Sequence, residues 1–389
     1  MNVIDIELIV RDIFDHNNIS NDDEDYDKDK MADLVFNIYC DINDLDSSNA
    51  LLLNKLKEEI SHILDKKLCV IPAQYSDSEI LLLESKIKYL ETIPQPEQRT
   101  PEWYTFRNDR LTASDLLYAI DCSNKKRAEI IKKKCGYNPP FTPGQAIIHG
   151  IKYEPIATEI YERRNNLEIL EFGCLPHQYI PFFGASPDGI VSYRSQNRNY
   201  VGRMLEIKCP KSRTITGIIP EAYYAQIQGQ LEVCDLEYCD FLECSIKEYS
   251  DKNAFFKDSP ENQVSIYQQA NGDEKGIIIE LYNTQEKKNI YIYCHQKFET
   301  IDEFNIWEDT EIDKILEQEH LEYLGTTFWY LKEYSCVLVN RNREWFNKRY
   351  IKIKEFWDDV LKTRVSGVDY SQAEKKYNTY TPEELNFIN

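Results

Sequence analysis

Short strand-like runs fill the middle of the chain and constrain its fold more than any other sequence feature. Six runs have this character: residues 167–174, 189–193, 203–209, 238–246, 276–282 and 289–294. A helical pattern over residues 220–234 lies between the third and the fourth run. The middle of the chain is therefore predicted to be an α/β core built on one sheet.

Three prolines separate this core from a helical N-terminal region. Apolar residues recur at intervals of three and four over residues 51–64 and 78–90, which predicts helices. The prolines at positions 94, 96 and 101 cannot continue that pattern. We predict an acidic helical region over residues 1–93 and a proline-rich linker over residues 94–102.

The last part of the chain also has a helical pattern. Four tryptophans fall in it as expected core or interface anchors: Trp307, Trp329, Trp345 and Trp357. We predict that residues 103–300 form the core and that residues 301–389 form a helical C-terminal region that packs on it.

The charge of the chain is strongly negative but unevenly placed. The formal net charge is −21, and such an acidic surface repels nucleic acid. Residues 1–60 carry −11 and residues 250–389 carry −8, whereas residues 96–249 carry only −1. A phosphate-binding groove is therefore compatible with the middle of the chain.

Cysteine usage and hydropathy exclude two classes of protein. The eleven cysteines are odd in number and include no C-x-x-C pair, which argues against a secreted disulfide scaffold and favours a reducing compartment. No apolar run approaches the roughly 18 residues of a membrane span, and the N-terminus lacks a basic leader. We expect a soluble protein without a membrane association.

The run LEIKC holds a carboxylate beside an ammonium. In a strand, Glu206 and Lys208 point to one face while Leu205, Ile207 and Cys209 point into the core. Alone, this pattern is more typical of a solvated ion pair on the wet face of a strand.

An Asp in a turn makes the pattern more specific. Asp188 lies in the sequence SPDG, which by itself is typical of a hairpin corner. The turn feeds the run at residues 189–193, which can pair with the run that holds Glu206. Two carboxylates that converge repel each other unless a cation lies between them, and hard oxygen ligands select Mg²⁺ or Mn²⁺.

Two further polar residues are candidates for the same site. Glu154, near the start of a predicted helix, is either a third carboxylate or a first-turn acid favoured by the helix dipole. Three glutamines at spacing two, in the sequence AQIQGQ, cannot share one helical face. Gln226 is the predicted site residue, and the other two are expected to be surface polar groups.

The order E, SPDG, EIKCP, AQIQ resembles the PD-(D/E)XK nuclease superfamily, specifically its lambda exonuclease and YqaJ viral recombinase family. The resemblance covers roughly residues 103–249 and includes the family's W-x-x-x-R and T-A-S opening. The sequence PQPEQRTPEW and the chain length are similar to versions from large DNA viruses. The resemblance implies a restriction-endonuclease-like core, a central mixed sheet flanked by helices, with helical additions at both ends.

The resemblance also implies roles for the site residues. Asp188, Glu206 and the backbone carbonyl of Ile207 would ligate Mg²⁺, with Mn²⁺ as an alternative and two ions expected. Lys208 would position or deprotonate the attacking water, and its neutral form would be favoured beside cations. Glu154 and Gln226 would complete the site.

A terminal 5′-phosphate pocket is implied by four further residues. Arg107, Ser114 and Ser186 fall on the family's matching positions, and the planar fork of arginine suits phosphate oxygens. Arg213 is the counterpart of a further pocket arginine, shifted by one position. Without the neighbouring T-A-S, Arg107 would be interpreted as surface charge before a helix.

Other candidate sites are weaker. Cys234, Cys239 and Cys244 are spaced by five, which favours buried thiols over an iron–sulfur cluster. Lysine and arginine clusters at residues 125–127 and 132–134 are either a DNA-backbone contact or a solvated helix face. The six histidines have no metal-binding spacing.

The predicted function is a Mg²⁺-dependent 5′→3′ exonuclease on linear double-stranded DNA, acting in viral recombination, repair or genome processing. The alternatives are an endonuclease or RNA-directed nuclease on the same fold, and a non-catalytic DNA-binding recombinase partner. The resemblance implies a homo-oligomer, a trimeric ring around DNA ends, and a single-strand annealing protein as partner. The expected location is intracellular: the cytoplasm of an infected host cell at a viral factory, the virion or the nucleus.

Overall fold

The computed structural model describes most of the chain from residue 75 onward and one earlier helix. The described residues are 28–42, 60, 75–121, 124–137, 143–260, 265–296, 298 and 300–367. The predicted helix at residues 51–64 lies largely outside them.

The α-helices of these ranges are numbered in chain order. They are α1 Lys28–Ile42, α2 Asp77–Thr92, α3 Pro101–Asn108, α4 Leu116–Ile120, α5 Asn124–Lys134, α6 Gln145–Asn165, α7 Glu221–Cys234, α8 Lys252–Lys257, α9 Ile301–Leu316 and α10 Arg343–Ser366. Single 3₁₀ turns lie at Ala113–Asp115 and Arg198–Tyr200.

The strands are numbered in the same way. They are β1 Leu111–Thr112, β2 Ile169–Leu170, β3 Leu175–Pro176, β4 Phe183–Ala185, β5 Gly189–Val191, β6 Met204–Lys208, β7 Tyr238–Glu248, β8 Lys275–Asn283, β9 Lys288–Tyr293 and β10 Leu321–Asn340.

The main sheet has seven strands in the order β2-β5-β6-β7-β10-β8-β9. Strands β6 and β7 are parallel, whereas the other neighbours are antiparallel. Parallel neighbours need a crossover, and α7 supplies it between β6 and β7. The predicted central mixed sheet flanked by helices is confirmed.

Helices cover both faces of this sheet. On one face Leu205 of β6 belongs to the same buried cluster as Ile156 of α6. On the other face Met204 of β6 and Phe241 of β7 share a cluster with Ile227 of α7, and α10 adds its apolar side chains there. Alternate residues of β6 face opposite sides of the sheet. Leu205 therefore points toward α6, and Glu206 points to the opposite face, as expected.

A second, three-stranded sheet has the order β1-β4-β3. Strands β1 and β4 are parallel, with Thr112 aligned to Gly184. The chain therefore leaves both strands at the same edge, which places Ser114 and Ser186 close to each other.

The helical prediction for residues 301–389 is wrong at β10. This twenty-residue strand lies between β7 and β8, so the C-terminal region contributes to the sheet as well as packing on it. The strand is rich in aromatic and β-branched residues, which suit a pleated surface. Its Trp329 is buried, as are Trp345 and Trp357 of α10, so these predicted anchors are confirmed as core residues.

Candidate active site

Asp188 and Glu206 meet where β5 and β6 pair. Gly189, which follows Asp188, is aligned with Leu205, so the turn lies beside the neighbouring strand. The Asp188 Oδ2 accepts a hydrogen bond of 2.7 Å from the Ile207 backbone N–H. The Lys208 Nζ lies 2.7 Å from Oε1 of Glu206, and the Glu206 side chain is fully buried. The structure thus brings together the Asp, Glu and Lys that the sequence singled out, on a buried face rather than a wet one.

Two glutamines of α7 hold both oxygens of Glu206. The Gln226 Nε2 donates to Oε1 and the Gln230 Nε2 donates to Oε2, each at 2.7 Å. Residues four apart share a helical face, and this spacing was the available signal for Gln230. The expectation that the other two glutamines are surface groups is wrong, because Gln228 and Gln230 are both buried. Gln228 instead donates to the Asn340 carbonyl.

Glu154 reaches the same region from the middle of α6. The helix begins at Gln145, so the first-turn interpretation of Glu154 is wrong. Its two carboxylate oxygens each lie 3.1 Å from Nη2 of Arg99. Arg99 belongs to the proline-rich linker, which the sequence analysis treated only as a boundary.

Arg107, Ser114 and Ser186 form a second polar cluster. The Arg107 guanidinium donates to the Ser114 hydroxyl at 2.9 Å and to the Ser186 hydroxyl at 3.3 Å. It also stacks 4.3 Å above the Trp103 ring, and the Trp103 Nε1 donates to Ser186 at 3.2 Å. Arg107 therefore contacts two of the three other residues predicted for a phosphate pocket.

Arg213 lies apart from this cluster. It forms an ion pair with Glu243 of β7 and does not line the cavity described below. The structure therefore does not bring this predicted contact to Arg107.

A buried ion pair between Lys134 and Asp115 contacts the backbone of Arg107. Lys134, almost fully buried, lies 3.0 Å from the Asp115 carboxylate and donates to the Arg107 carbonyl at 3.1 Å. The Thr112 hydroxyl donates to Asp115 and lies 3.2 Å from the Ser114 hydroxyl. Both interpretations of the basic cluster placed its lysines at the surface, which is wrong for Lys134.

One cavity joins the two clusters. Its volume is about 180 Å³, and its lining residues are Gln98, Arg99, Trp103, Arg107, Ala113, Ser114, Glu154, Ser186, Asp188, Gln226 and Gln230. The cavity is thus lined by the carboxylates of Glu154 and Asp188 and by the Arg107 guanidinium with the hydroxyls of Ser114 and Ser186. The arrangement can hold a phosphorylated chain end with a phosphodiester bond beside the carboxylates.

Gly229 allows the two clusters to approach each other. A Cβ at this position of α7 would lie 3.0 Å from the Ala113 Cβ and 3.1 Å from the Phe183 Cζ. Because Ala113 adjoins Ser114 and Phe183 belongs to β4, glycine lets the helix that carries both glutamines pack directly on the phosphate-pocket segment.

The electrostatics of the carboxylates favour a bound cation. Burial, together with the charges of Glu206 and Glu154, raises the pKa of Asp188 well above its usual range. Burial also raises the pKa of Glu154 despite the opposing charge of Arg99. Burial lowers the pKa of Lys208, but the carboxylates of Glu206 and Asp188 outweigh it and the net shift is upward. Lys208 is therefore held as an ammonium when no metal is bound.

The donor atoms fit a hard divalent cation. Asp188 and Glu206 offer carboxylate oxygens, and the Gln230 Oε1 is a buried acceptor without a hydrogen-bond partner. Within the described ranges, no three His, Cys, Asp or Glu side chains are arranged to hold an ion among themselves. The predicted ligand set of Asp188, Glu206 and the Ile207 carbonyl stays a prediction.

The cysteines that could suggest a cluster are structural. Cys234, Cys239 and Cys244 are buried as free thiols, so the buried-thiol prediction is confirmed. Burial raises the pKa of both Cys234 and Cys244 to about 12, which makes these thiols poor ligands and nucleophiles. Separately, no helix of the described residues combines the length and the apolar composition that a bilayer span requires.

The sequence is similar to a known family model and to a viral protein. Residues 102–237 match the family model of the YqaJ-like viral recombinase domain. An uncharacterized protein of Acanthamoeba polyphaga mimivirus is 33% identical over 311 residues, which are 74% of this chain and 56% of that protein. The chain thus spans little more than half the length of this curated relative. The predicted resemblance to the YqaJ family and to its large-DNA-virus versions is confirmed.

Three solved structures are similar at low sequence identity. An alkaline exonuclease from Laribacter hongkongensis, LHK-Exo, has 18% identity and a TM-score of 0.40 over 69% of this chain and 95% of its own. Its complex with dAMP has 19% identity and a TM-score of 0.41 over 71% and 99%. A phage related exonuclease from Haemophilus somnus has 13% identity and a TM-score of 0.32 over 72% and 92%.

The matched family segment and the cavity coincide. Of the residues that line the cavity, only Gln98 and Arg99 lie outside the matched range. The segment that is similar to the YqaJ-like viral recombinase domain, residues 102–237, therefore includes both polar clusters of the site.

Proposed function

We propose that this protein is a Mg²⁺-dependent exonuclease that digests linear double-stranded DNA from its 5′ ends, in viral recombination, repair or genome processing. The observation that carries the proposal is one cavity that is lined both by Asp188 with the two glutamines that hold Glu206 and by the Arg107 cluster. A general phosphodiesterase needs only the first cluster. The second gives the site a place for a terminal phosphate, which only a chain end offers.

The binding step rests on the Arg107 cluster. The guanidinium is already oriented by two hydroxyls and by Trp103, so it can donate to phosphate oxygens with little loss of side-chain freedom. A terminal 5′-phosphate held there would place the next phosphodiester bond beside Asp188. Holding the end in this way also excludes closed circles, which have no terminal phosphate.

The hydrolytic step rests on the carboxylate cluster. When bound, Mg²⁺ would lower the pKa of an attacking water and offset the charge of the scissile phosphate. Asp188, Glu206 and the Ile207 carbonyl would hold the ions, with two expected. Gln226 and Gln230 orient Glu206 through its two oxygens. Lys208 would position the water, and it would act as a base once cations on the carboxylates lower its pKa. Mn²⁺ suits the same oxygen ligands.

The proposal extends to assembly and location. By resemblance, the protein would form a ring-shaped trimer around DNA and work with a single-strand annealing protein in an infected cell. Light scattering of the purified protein, with and without duplex DNA, tests the trimer directly.

The test of the activity uses duplexes that differ only at their ends. Linear DNA with 5′-phosphate or 5′-hydroxyl ends is incubated beside a closed circle and an RNA duplex, with Mg²⁺ or EDTA. We expect loss of linear DNA alone, faster with a 5′-phosphate, release of a 5′-terminal label before a 3′-terminal one, and no digestion in EDTA. Cutting of the circle would indicate an endonuclease, and digestion of the RNA would indicate an RNA-directed nuclease. An absence of cutting would indicate a DNA-binding protein without catalysis.

A further inference from the structure

The proline-rich linker lies against the loop that carries Asp188. The Gln98 Nε2 donates to the Phe172 carbonyl at 2.8 Å and lies 3.4 Å from the Pro187 carbonyl. A Cβ at Gly173 would lie only 2.0 Å from the Pro96 carbonyl oxygen, so the two segments touch through their backbones. The linker is therefore fixed beside the site rather than spanning freely between two regions.

Arg99 adopts an unusual backbone conformation at this point. Its φ is +68°, in the left-handed region that residues other than glycine rarely occupy. Such a conformation persists where the surrounding structure imposes it, and it is found disproportionately at functional sites. Here it turns the side chain into the cavity, which Arg99 lines.

The contacts of Arg99 differ from those of Arg107. The Arg99 Nη2 contacts both oxygens of Glu154, and the side chain is 47% exposed. Arg107 is instead held by two neutral hydroxyls, which a bound phosphate would not repel. The present partner of Arg99 is thus Glu154, which lines the same cavity as Asp188. A divalent cation bound there would compete with Arg99 for the Glu154 carboxylate.

We propose that Arg99 is a counter-cation that exchanges partners. It pairs with Glu154 while the carboxylates hold no metal, and it turns to a DNA backbone phosphate when a divalent cation joins them. This inference rests on the proposed function. A guanidinium beside a divalent cation is repelled by it, whereas a phosphate accepts two parallel hydrogen bonds from the same group.

Two binding measurements test the exchange. Mn²⁺ affinity is measured without DNA by calorimetry, and affinity for a 5′-phosphorylated duplex is measured in Ca²⁺ by fluorescence anisotropy. Arg99→Gln removes the charge and Arg99→Lys keeps it. Arg194→Gln is the matched control, because Arg194 forms a similar two-oxygen pair with Glu168 at an exposed position.

We expect opposite changes in the two affinities. Loss of a half-exposed ion pair should tighten Mn²⁺ binding by Arg99→Gln about two- to fivefold. Loss of one charged phosphate contact should weaken duplex binding about tenfold or more. Arg99→Lys should keep Mn²⁺ affinity near that of the wild type, and Arg194→Gln should change neither affinity.

The outcomes separate this inference from the proposed function. An unchanged or weaker Mn²⁺ affinity in Arg99→Gln, with an unchanged melting temperature, would overturn the exchange and leave Arg99 as a structural partner of Glu154. Unchanged duplex affinity would overturn it as well. Asp188→Asn is measured alongside: if this variant binds Mn²⁺ like the wild type, the proposed metal site fails whatever Arg99 does.

Discussion

Replacing Arg107 by lysine should remove the preference for a 5′-phosphate while leaving the hydrolytic machinery intact. The wild-type guanidinium spans the hydroxyls of Ser114 and Ser186, at 2.9 and 3.3 Å, and stacks on Trp103. A lysine keeps the charge but cannot donate a parallel pair of hydrogen bonds to one phosphate. Asp188 is hydrogen-bonded to Ile207, and Glu206 to Gln226 and Gln230, so the carboxylate cluster should be undisturbed.

The size of the effect follows from the contact that is lost. A hydrogen bond to a charged group contributes about 1.5 to 3 kcal/mol, which is roughly a 10- to 100-fold change in a rate or binding constant. The ratio of kcat/KM for 5′-phosphorylated over 5′-hydroxyl duplex should fall by this factor in Arg107→Lys. Activity on the 5′-hydroxyl duplex should change by less than about threefold, since that substrate makes no terminal phosphate contact.

The assay compares initial rates on the two duplexes under subsaturating conditions. Arg213→Lys is the matched control, because Arg213 is paired with Glu243 outside the cavity and should leave the ratio unchanged. An equal fall on both substrates in Arg107→Lys would refute the assignment of the pocket. A fall of the ratio in Arg213→Lys instead would show that the phosphate is read by a different arginine.

Three further predictions concern the stability of the fold. Lys134→Met should lower the free energy of unfolding by up to about 3 to 5 kcal/mol, because it removes the nearer of the two ammonium groups beside the Asp115 carboxylate and leaves only Lys133, 3.9 Å away. Gly229→Val should cost about 1 to 3 kcal/mol or more, since even a Cβ would lie 3.0 Å from Ala113. Burial, with a contribution from the Lys247 charge, lowers the pKa of His149 to about 4, so the folded protein binds its proton less readily than the unfolded chain. The stabilisation from His149 should be complete above pH 6.5 and be lost progressively as the pH falls toward 4. His149→Gln should flatten that part of the curve by about 1 to 2 kcal/mol, allowing for the solvent exposure of the ring.

Urea denaturation measures all three, at one pH for the first two and at a series of pH values from 4 to 7 for His149. For the ion pair, the double variant Lys134→Met with Asp115→Leu should recover part of the lost stability, and an unchanged single variant would contradict the burial argument. For the glycine, wild-type stability and full activity in Gly229→Val would contradict the claim that the packing of α7 on Ala113 requires a glycine. For the histidine, the free energy of unfolding should depend on pH more steeply in the wild type than in His149→Gln between pH 4 and 6.5. Parallel curves over this range would contradict the attribution of the effect to His149.

Local sequence patterns predicted the carboxylate cluster because strand pairing is short-range here. The turn that holds Asp188 leads directly into β5, and β5 pairs with the strand of Glu206, so strand pairing brings together two residues that lie eighteen positions apart. The alternation in β6 also indicated which residues face the core. The burial of Glu206 depends on α7 packing above it, which the strand itself does not encode.

Other parts of the site depend on contacts that a linear pattern does not reveal. Lys134 follows two other lysines, and only its packing against Asp115 and the Arg107 carbonyl distinguishes it from a surface residue. Arg99 lies among prolines, a composition typical of a spacer. Strand β10 mixes aromatic residues with charges at spacings that also suit a helix, and its place between β7 and β8 is decided by tertiary pairing.

The most direct test of the central claim is the rate of digestion of a 5′-phosphorylated linear duplex by isosteric variants of the carboxylate cluster. Asp188→Asn and Glu206→Gln keep the size of each side chain but remove its charge, and Glu168→Gln at the surface is the control. The account predicts that both site variants lose at least about 100-fold in rate in Mg²⁺ while remaining folded, that the control is fully active, and that EDTA abolishes wild-type digestion. Wild-type rates in the folded site variants, or digestion that persists in EDTA, would contradict it.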